Sequence, residues 1–154
     1  MKFGMFVLPS WPQPDPSHQG RIYHEMIEQI QYAEELGFES VWLAEHHFTR
    51  FGIVPSALQL ATYVAGRTKK IRIGTGVSVL NFHDPVFMAE ETAMLDLLSG
   101  GRLNFGIGRG QVVYEYANFK VDYDTRTERF NEIVDIILGP VSYTHLTLPT
   151  SDLV

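Results

Sequence analysis

The stretch Ser40-Val41-Trp42-Leu43-Ala44-Glu45-His46-His47-Phe48 decides how this chain is read. Its first five residues form a short apolar run with the length of a buried strand. The run stops at a carboxylate followed by two imidazoles, so titratable groups stand at one end of a sheet. Three more apolar runs read as strands, over residues 2–8, 71–80 and 102–107. None alternates cleanly between apolar and polar, so both faces of each strand are expected to be buried, as in a parallel sheet.

Helical patterns separate these runs. Residues 23–36 carry one apolar stripe through Met26, Ile27, Ile30, Ala33 and Leu36, and Gly37 is a good stop. A second helix follows Pro55, with Leu58, Ala61, Val64 and Ala65 on one side. The third has Asp84 as N-cap, Pro85 at its first position and Gly100-Gly101 past its end. The fourth spans residues 125–138, with Phe130, Ile133, Val134 and Ile137 inward. Residues 10–20, with three prolines, read as a loop. The order is β-α repeated four times, which predicts an α/β fold with a parallel sheet and right-handed crossovers.

The bulk numbers bound the function. The 154 residues are 45% hydrophobic and 19% charged, ordinary for one soluble domain. A formal charge of -6 argues against nucleic acid or an anionic membrane as partner. There is no cysteine, hence no disulfide framework, thiolate metal site or Cys nucleophile. The amino terminus lacks a signal-peptide core and no run approaches the ~18 apolar residues of a membrane span, so a cytoplasmic location is expected. Residues 140–154 break the pattern, with no helical stripe and Asp152 as their one charge. Residues 141–150 resemble translated sequencing adapter, so residues 1–139 are expected to be the domain and residues 140–154 a non-native tail.

In a parallel barrel the C-terminal strand ends share one rim, where catalysis is placed. Here those ends are Leu8-Pro9, Glu45-His46-His47, Gly76-Val77-Ser78 and Gly108-Arg109. His46 and His47 suit general acid–base work, or are a pair of satisfied structural histidines. His83 and Asp84 would have to complete a metal site, but neighbouring strand residues point to opposite faces and the spacing fits no zinc motif. Gly106-Ile107-Gly108-Arg109-Gly110 suits close approach of an anion, with Arg109 as a planar fork, or a tight corner with Arg109 in a salt bridge. Gly74-Thr75-Gly76-Val77 permits close ligand approach. Arg126 and Arg129 open the fourth helix and could equally be a solvated face.

Taken together, Met1-Lys2-Phe3-Gly4, Val41 through Phe48, Lys70-Ile71-Arg72-Ile73-Gly74-Thr75-Gly76, Ala89-Glu90-Glu91 with Leu95 through Leu103, and Phe105 through Gly110 resemble the N-terminal half of the bacterial luciferase-like flavin-dependent monooxygenases. The resemblance implies about four βα units of a TIM (β/α)8 barrel that binds reduced FMN at its C-terminal rim. It implies O2 as co-substrate, an aldehyde or similar small organic substrate, a separate flavin reductase as partner, and a homo- or heterodimer. By this resemblance His46 is the catalytic acid–base, and Glu45 and His47 orient it or line the flavin site. Gly76 and Val77 match a strand end that often carries a non-prolyl cis peptide under the flavin ring. Arg109, and with it Arg126, match the flavin phosphate site.

A reactive cysteine of light-emitting subunits is replaced by Gly108, so light emission is not carried over by the resemblance. The non-catalytic luciferase subunit lacks the first histidine of the pair, which this chain retains as His46. Half a barrel leaves open edges and exposed apolar faces, so the chain as given is expected to be inactive and prone to aggregate. Two other classes stay open: a deazaflavin (F420)-dependent dehydrogenase of the same superfamily, and a non-catalytic flavin-binding partner subunit.

Overall fold

The computed structural model describes residues 1–12 and 16–139; the tail expected at 140–154 lies outside the described residues. In chain order the elements are β1 (Gly4–Val7), α1 (Pro16–Glu35), β2 (Ser40–Leu43), α2 (Ala57–Arg67), β3 (Arg72–Thr75), β4 (Ser78–Val79), α3 (Pro85–Ser99), β5 (Leu103–Asn104), β6 (Ile107–Gly108), α4 (Val113–Phe119) and α5 (Arg126–Leu138). A 3₁₀ turn, Leu80–Phe82, joins β4 to α3. The main sheet is parallel throughout, ordered β1-β2-β3-β5, and a second parallel pair joins β4 to β6. This is the α/β arrangement of a partial barrel.

One face of the sheet meets the helices. Val41, Leu43 and Ile73 are fully buried there, against Ile30 of α1 and Ala61 and Val64 of α2. The other face carries an in-register row across the strands: Phe6 opposite Trp42, Trp42 opposite Gly74, and Gly74 opposite Asn104. Gly74 makes room for the indole, since a Cβ there would stand 2.3 Å from Cε3 of Trp42. The expectation that both faces of every strand are buried fails on this side of β1, where Phe6 is 60% exposed. Burial of both faces requires cover on both sides, and here helices cover one.

Two predicted strands are each split in two. The run over residues 71–80 becomes β3 and β4, separated by a cis peptide between Gly76 and Val77. The run over 102–107 becomes β5 and β6, because the Gly106 carbonyl leaves the ladder to accept from the Thr75 hydroxyl at 2.7 Å and from Ser78 N at 2.9 Å. Only glycine allows this approach, since a Cβ on Gly106 would lie 2.1 Å from the Thr75 oxygen.

The reading of residues 10–20 as a loop is corrected in its second part: α1 begins at Pro16, seven residues before the predicted start. Proline suits a first helical turn, where its missing N–H has no partner to lose. The helix α3 follows its signals, with Asp84 accepting from Val86 N and Phe87 N and Gly100 closing it at φ 70°. Ser56 caps α2 by accepting from Gln59 N. Arg102 binds the far end of α2, donating to the Ala65 and Thr68 carbonyls and to the Thr68 hydroxyl.

Candidate active site

The backbone leaving β2 carries Glu45, His46 and His47 into the gap between β4, β6 and α4. Glu45 is 4% exposed. Its Oε1 meets Nε2 of His47 at 3.1 Å and Nε2 of His83 at 2.8 Å, and accepts from Val79 N at 3.3 Å. Burial works to raise the Glu45 carboxyl, but hydrogen bonds and charge from His47 and His83 outweigh it and hold the group below the usual glutamate range. The side chain of His47 is nearly buried, with Phe119 and Phe82 edge-on to its ring at 4.7 Å and 5.6 Å.

His46 faces another carboxylate. Its Nδ1 lies 3.2 Å from Oε1 of Glu115, and the same oxygen accepts from His47 N at 2.9 Å. Glu115, on α4, is 1% exposed, whereas the His46 side chain keeps 32% of its surface. Gly52 closes the far side of the imidazole, since a Cβ there would stand 2.8 Å from Cδ2 of His46. The loops after β1 and β2 hold this wall in place: Gly52 N and Ile53 N donate to the Pro9 carbonyl, and Trp11 N to that of Arg50.

A cleft of about 330 Å³ opens beside these groups, lined among others by Glu45, His46, Gly76, Val77, Arg109 and Glu115. A larger groove of about 420 Å³ between α1 and α2 is lined by Tyr23, His24, Leu60 and Tyr63 and offers no carboxylate or guanidinium. Chemistry therefore favours the smaller cleft.

The predicted residues are not all gathered equally. Glu45, His46, Gly76, Val77 and Arg109 line the cleft. His47 does not line it and meets Glu45 instead, and Gly108 touches it through Val77, whose Cγ2 would stand 2.6 Å from a Cβ there. Arg109 donates from Nη1 to the Thr127 hydroxyl at 2.7 Å. The Arg126 guanidinium instead stacks 4.0 Å from the Tyr123 ring and donates to the Tyr123 carbonyl. The two arginines are joined through the main chain, because Nδ2 of the buried Asn81 donates to the carbonyls of Arg109 and Arg126 at 3.1 Å and 2.8 Å. Arg129 is no free solvated group, since its Nε donates to the Asn81 carbonyl. Of the residues weighed for a metal site, His83 is engaged with Glu45 and Asp84 caps α3.

Sequence reading missed Glu115 and Asn81. Both are polar, fully buried and far along the chain from the groups they hold. The available hint was weak: an acid between two tyrosines, Tyr114 and Tyr116, soon after the Gly-Arg-Gly turn.

Fold and site together define the rim of a partial α/β barrel, with an imidazole at a strand end beside a glycine-lined, arginine-bearing cleft. The chain belongs to the luciferase-like monooxygenase family, whose model matches residues 1–148. It is 39% identical over 122 residues to the alkanal monooxygenase alpha chain of Photorhabdus laumondii, covering 79% of this chain and 33% of that one. It is 36% identical over 139 residues to the oxygenase component of a flavin-dependent trigonelline monooxygenase of Acinetobacter baylyi, covering 89% and 38%. The structure superposes on monooxygenase RslO1 of Streptomyces bottropensis with a TM-score of 0.82 at 33% identity, over 89% of this chain and 42% of that one. The chain thus spans between a third and two fifths of the curated relatives it matches. No helix among the described residues is long and apolar enough to cross a membrane.

Proposed function

We propose that this chain forms the N-terminal part of a flavin-dependent monooxygenase that uses reduced FMN and O2 to oxidise an aldehyde or similar small organic substrate. Family membership supports the reaction class, and the name of the alkanal monooxygenase relative supports an aldehyde. The relative described as an oxygenase component supports a separate flavin reductase as partner. The observation that carries the reading is the placement of His46 on a cleft that the Gly76–Val77 strand end and Arg109 also line.

The cleft fits such a cofactor by its chemistry. Glycine at 108 leaves Val77 room on one side, and Gly110, at φ 72°, brings backbone close to Val79. Arg109 would hold the phosphate, Arg126 would join it only by leaving the Tyr123 ring, and Gly76 and Val77 would underlie the ring of the cofactor. The chemistry that reduced FMN would supply there is the pair of electrons that activates O2. His46 would give or take the proton at Nε2, the ring nitrogen with no protein partner among the described residues. Glu45 and His47 would fix the strand end beneath it. The domain division, residues 1–139 with a non-native tail at 140–154, and the inactivity of the chain as given are part of the same proposal.

The test is made on the full-length protein carrying this chain, with a flavin reductase and a panel of aldehydes. FMN-dependent oxygen uptake coupled to substrate oxidation, lost by at least about 100-fold in His46→Ala, is the expected result. Hydride transfer with F420 and no oxygen uptake would replace this reading with the dehydrogenase. Flavin binding without turnover in wild-type protein would replace it with the partner subunit.

A further inference from the structure

We infer that Glu115 and Glu45 hold the adjacent His46 and His47 in opposite tautomers, which makes Glu115 the positioning residue that leaves Nε2 of His46 as the proton-accepting nitrogen at the cleft. The inference rests on the proposed role of His46 only for its consequence in turnover; the tautomers follow from the contacts themselves.

The argument starts from which atoms must donate. A backbone N–H only donates, and a carboxylate in its ionised form only accepts, so a ring nitrogen that meets one must donate. Oε1 of Glu115 receives His47 N at 2.9 Å. The ring atom Nδ1 of His46, 3.2 Å from that oxygen, must therefore bring the hydrogen. Oε1 of Glu45 receives Val79 N at 3.3 Å, so Nε2 of His47 and Nε2 of His83 must bring theirs. In the neutral state His46 is then protonated at Nδ1 and His47 at Nε2.

The burial of the two carboxylates makes this binding. Glu115 and Glu45 are 1% and 4% exposed, and a buried carboxylate that lost its donors would be left with its desolvation uncompensated. Turning the His46 ring over would present a carbon to Glu115, and Gly52 already closes the Cδ2 side. His46 lines the cleft and its side chain keeps 32% of its surface, so Nε2 is the nitrogen left for a group bound there. Histidines adjacent in sequence thus differ in kind: His47 is spent on Glu45, and His46 is set for proton transfer.

The test is ¹⁵N-histidine NMR on the flavin-free, full-length protein at a pH where the imidazoles are neutral. His46 should show a pyrrole-type Nδ1 and pyridine-type Nε2, and His47 the reverse. Glu115→Gln keeps an acceptor oxygen and should keep the His46 pattern. Glu115→Leu removes it and should release His46 to the other tautomer or a mixture, while kcat falls by at least about 10-fold with little change in substrate KM. A pyridine-type Nδ1 on His46 in wild type, or a Glu115→Leu variant that keeps the wild-type pattern, overturns the inference. If Glu115→Leu does not fold, the wild-type and Glu115→Gln spectra decide alone. Because the spectra need neither flavin nor substrate, a wrong tautomer and an absent monooxygenase activity are distinct results.

Discussion

Gly52 meets two demands at once. Its φ of 85° lies where side chains are strained, and a Cβ there would stand 2.8 Å from His46 Cδ2 and 2.9 Å from Leu8 Cδ1. Gly52→Ala is expected to lower stability by about 1–3 kcal/mol in urea unfolding and to reduce turnover of the full-length enzyme by displacing the imidazole. An unchanged midpoint would refute the close packing. Glu45 supplies the prediction in pH. Its carboxyl is held below the usual glutamate value near 4.5, so the folded state binds this proton less tightly than the unfolded chain. The stability it contributes is full above that value and is lost as pH falls through the folded value. Glu34 acts in the same direction: burial opposes ionisation, but the N–H groups of Ile71, Lys70 and Lys69 outweigh it. The melting temperature of the protein should fall steeply below about pH 4.5, and Glu45→Gln should flatten that slope. At this scale the sequence showed what is local. Glu45, His46 and His47 are contiguous and end an apolar run, so their placement was readable. Glu115 is 69 positions from His46 and belongs to no spacing motif, so its partnership depends on a loop closure that only the fold supplies.

Elements were legible where their ends carry chemistry. Asp84, Pro85 and Gly100 bound α3 as their types require, and Asp84→Ala should cost about 1 kcal/mol by freeing Val86 N and Phe87 N, read as a lowered unfolding midpoint with unchanged slope. The short α4 lacks such marks. Val112 offers no side-chain cap, and Lys120 rather than glycine takes the left-handed position at its end, at φ 57°. What holds α4 is tertiary: Phe119 stacks on Phe82 at 4.6 Å, and Tyr116 meets Phe82 at 4.8 Å. The early start of α1 was hidden for the opposite reason, since three prolines signal a loop until one of them is placed at a first helical turn. The split strands were hidden because a continuous apolar run does not report where a carbonyl leaves its ladder, as that of Gly106 does.

The whole molecule turns on the face that the helices do not cover. Phe6 is 60% exposed, Trp42 is half-buried, and β1 and β5 end the main sheet as open edges among the described residues. Exposed aromatic residues beside an unpaired strand are a template for association. The length comparison points the same way, since the chain spans 39% of one relative and 33% of another. Barrel closure would pair both edges and enclose the row Phe6, Trp42, Gly74 and Asn104, which is why the fold class was readable from four βα units while the molecule's closure was not. Expressed by itself, the chain is expected to elute as associated species in size-exclusion chromatography and to bind a hydrophobic dye. The same residues within the longer protein should elute as a discrete particle and leave the dye unbound. Phe6→Ser should reduce association of the short chain, because it removes an exposed ring without touching the buried side of β1, where Val7 lies. A discrete monomer of the short chain with one cooperative unfolding transition and tight FMN binding would overturn this account, and with it the proposed inactivity of the chain on its own.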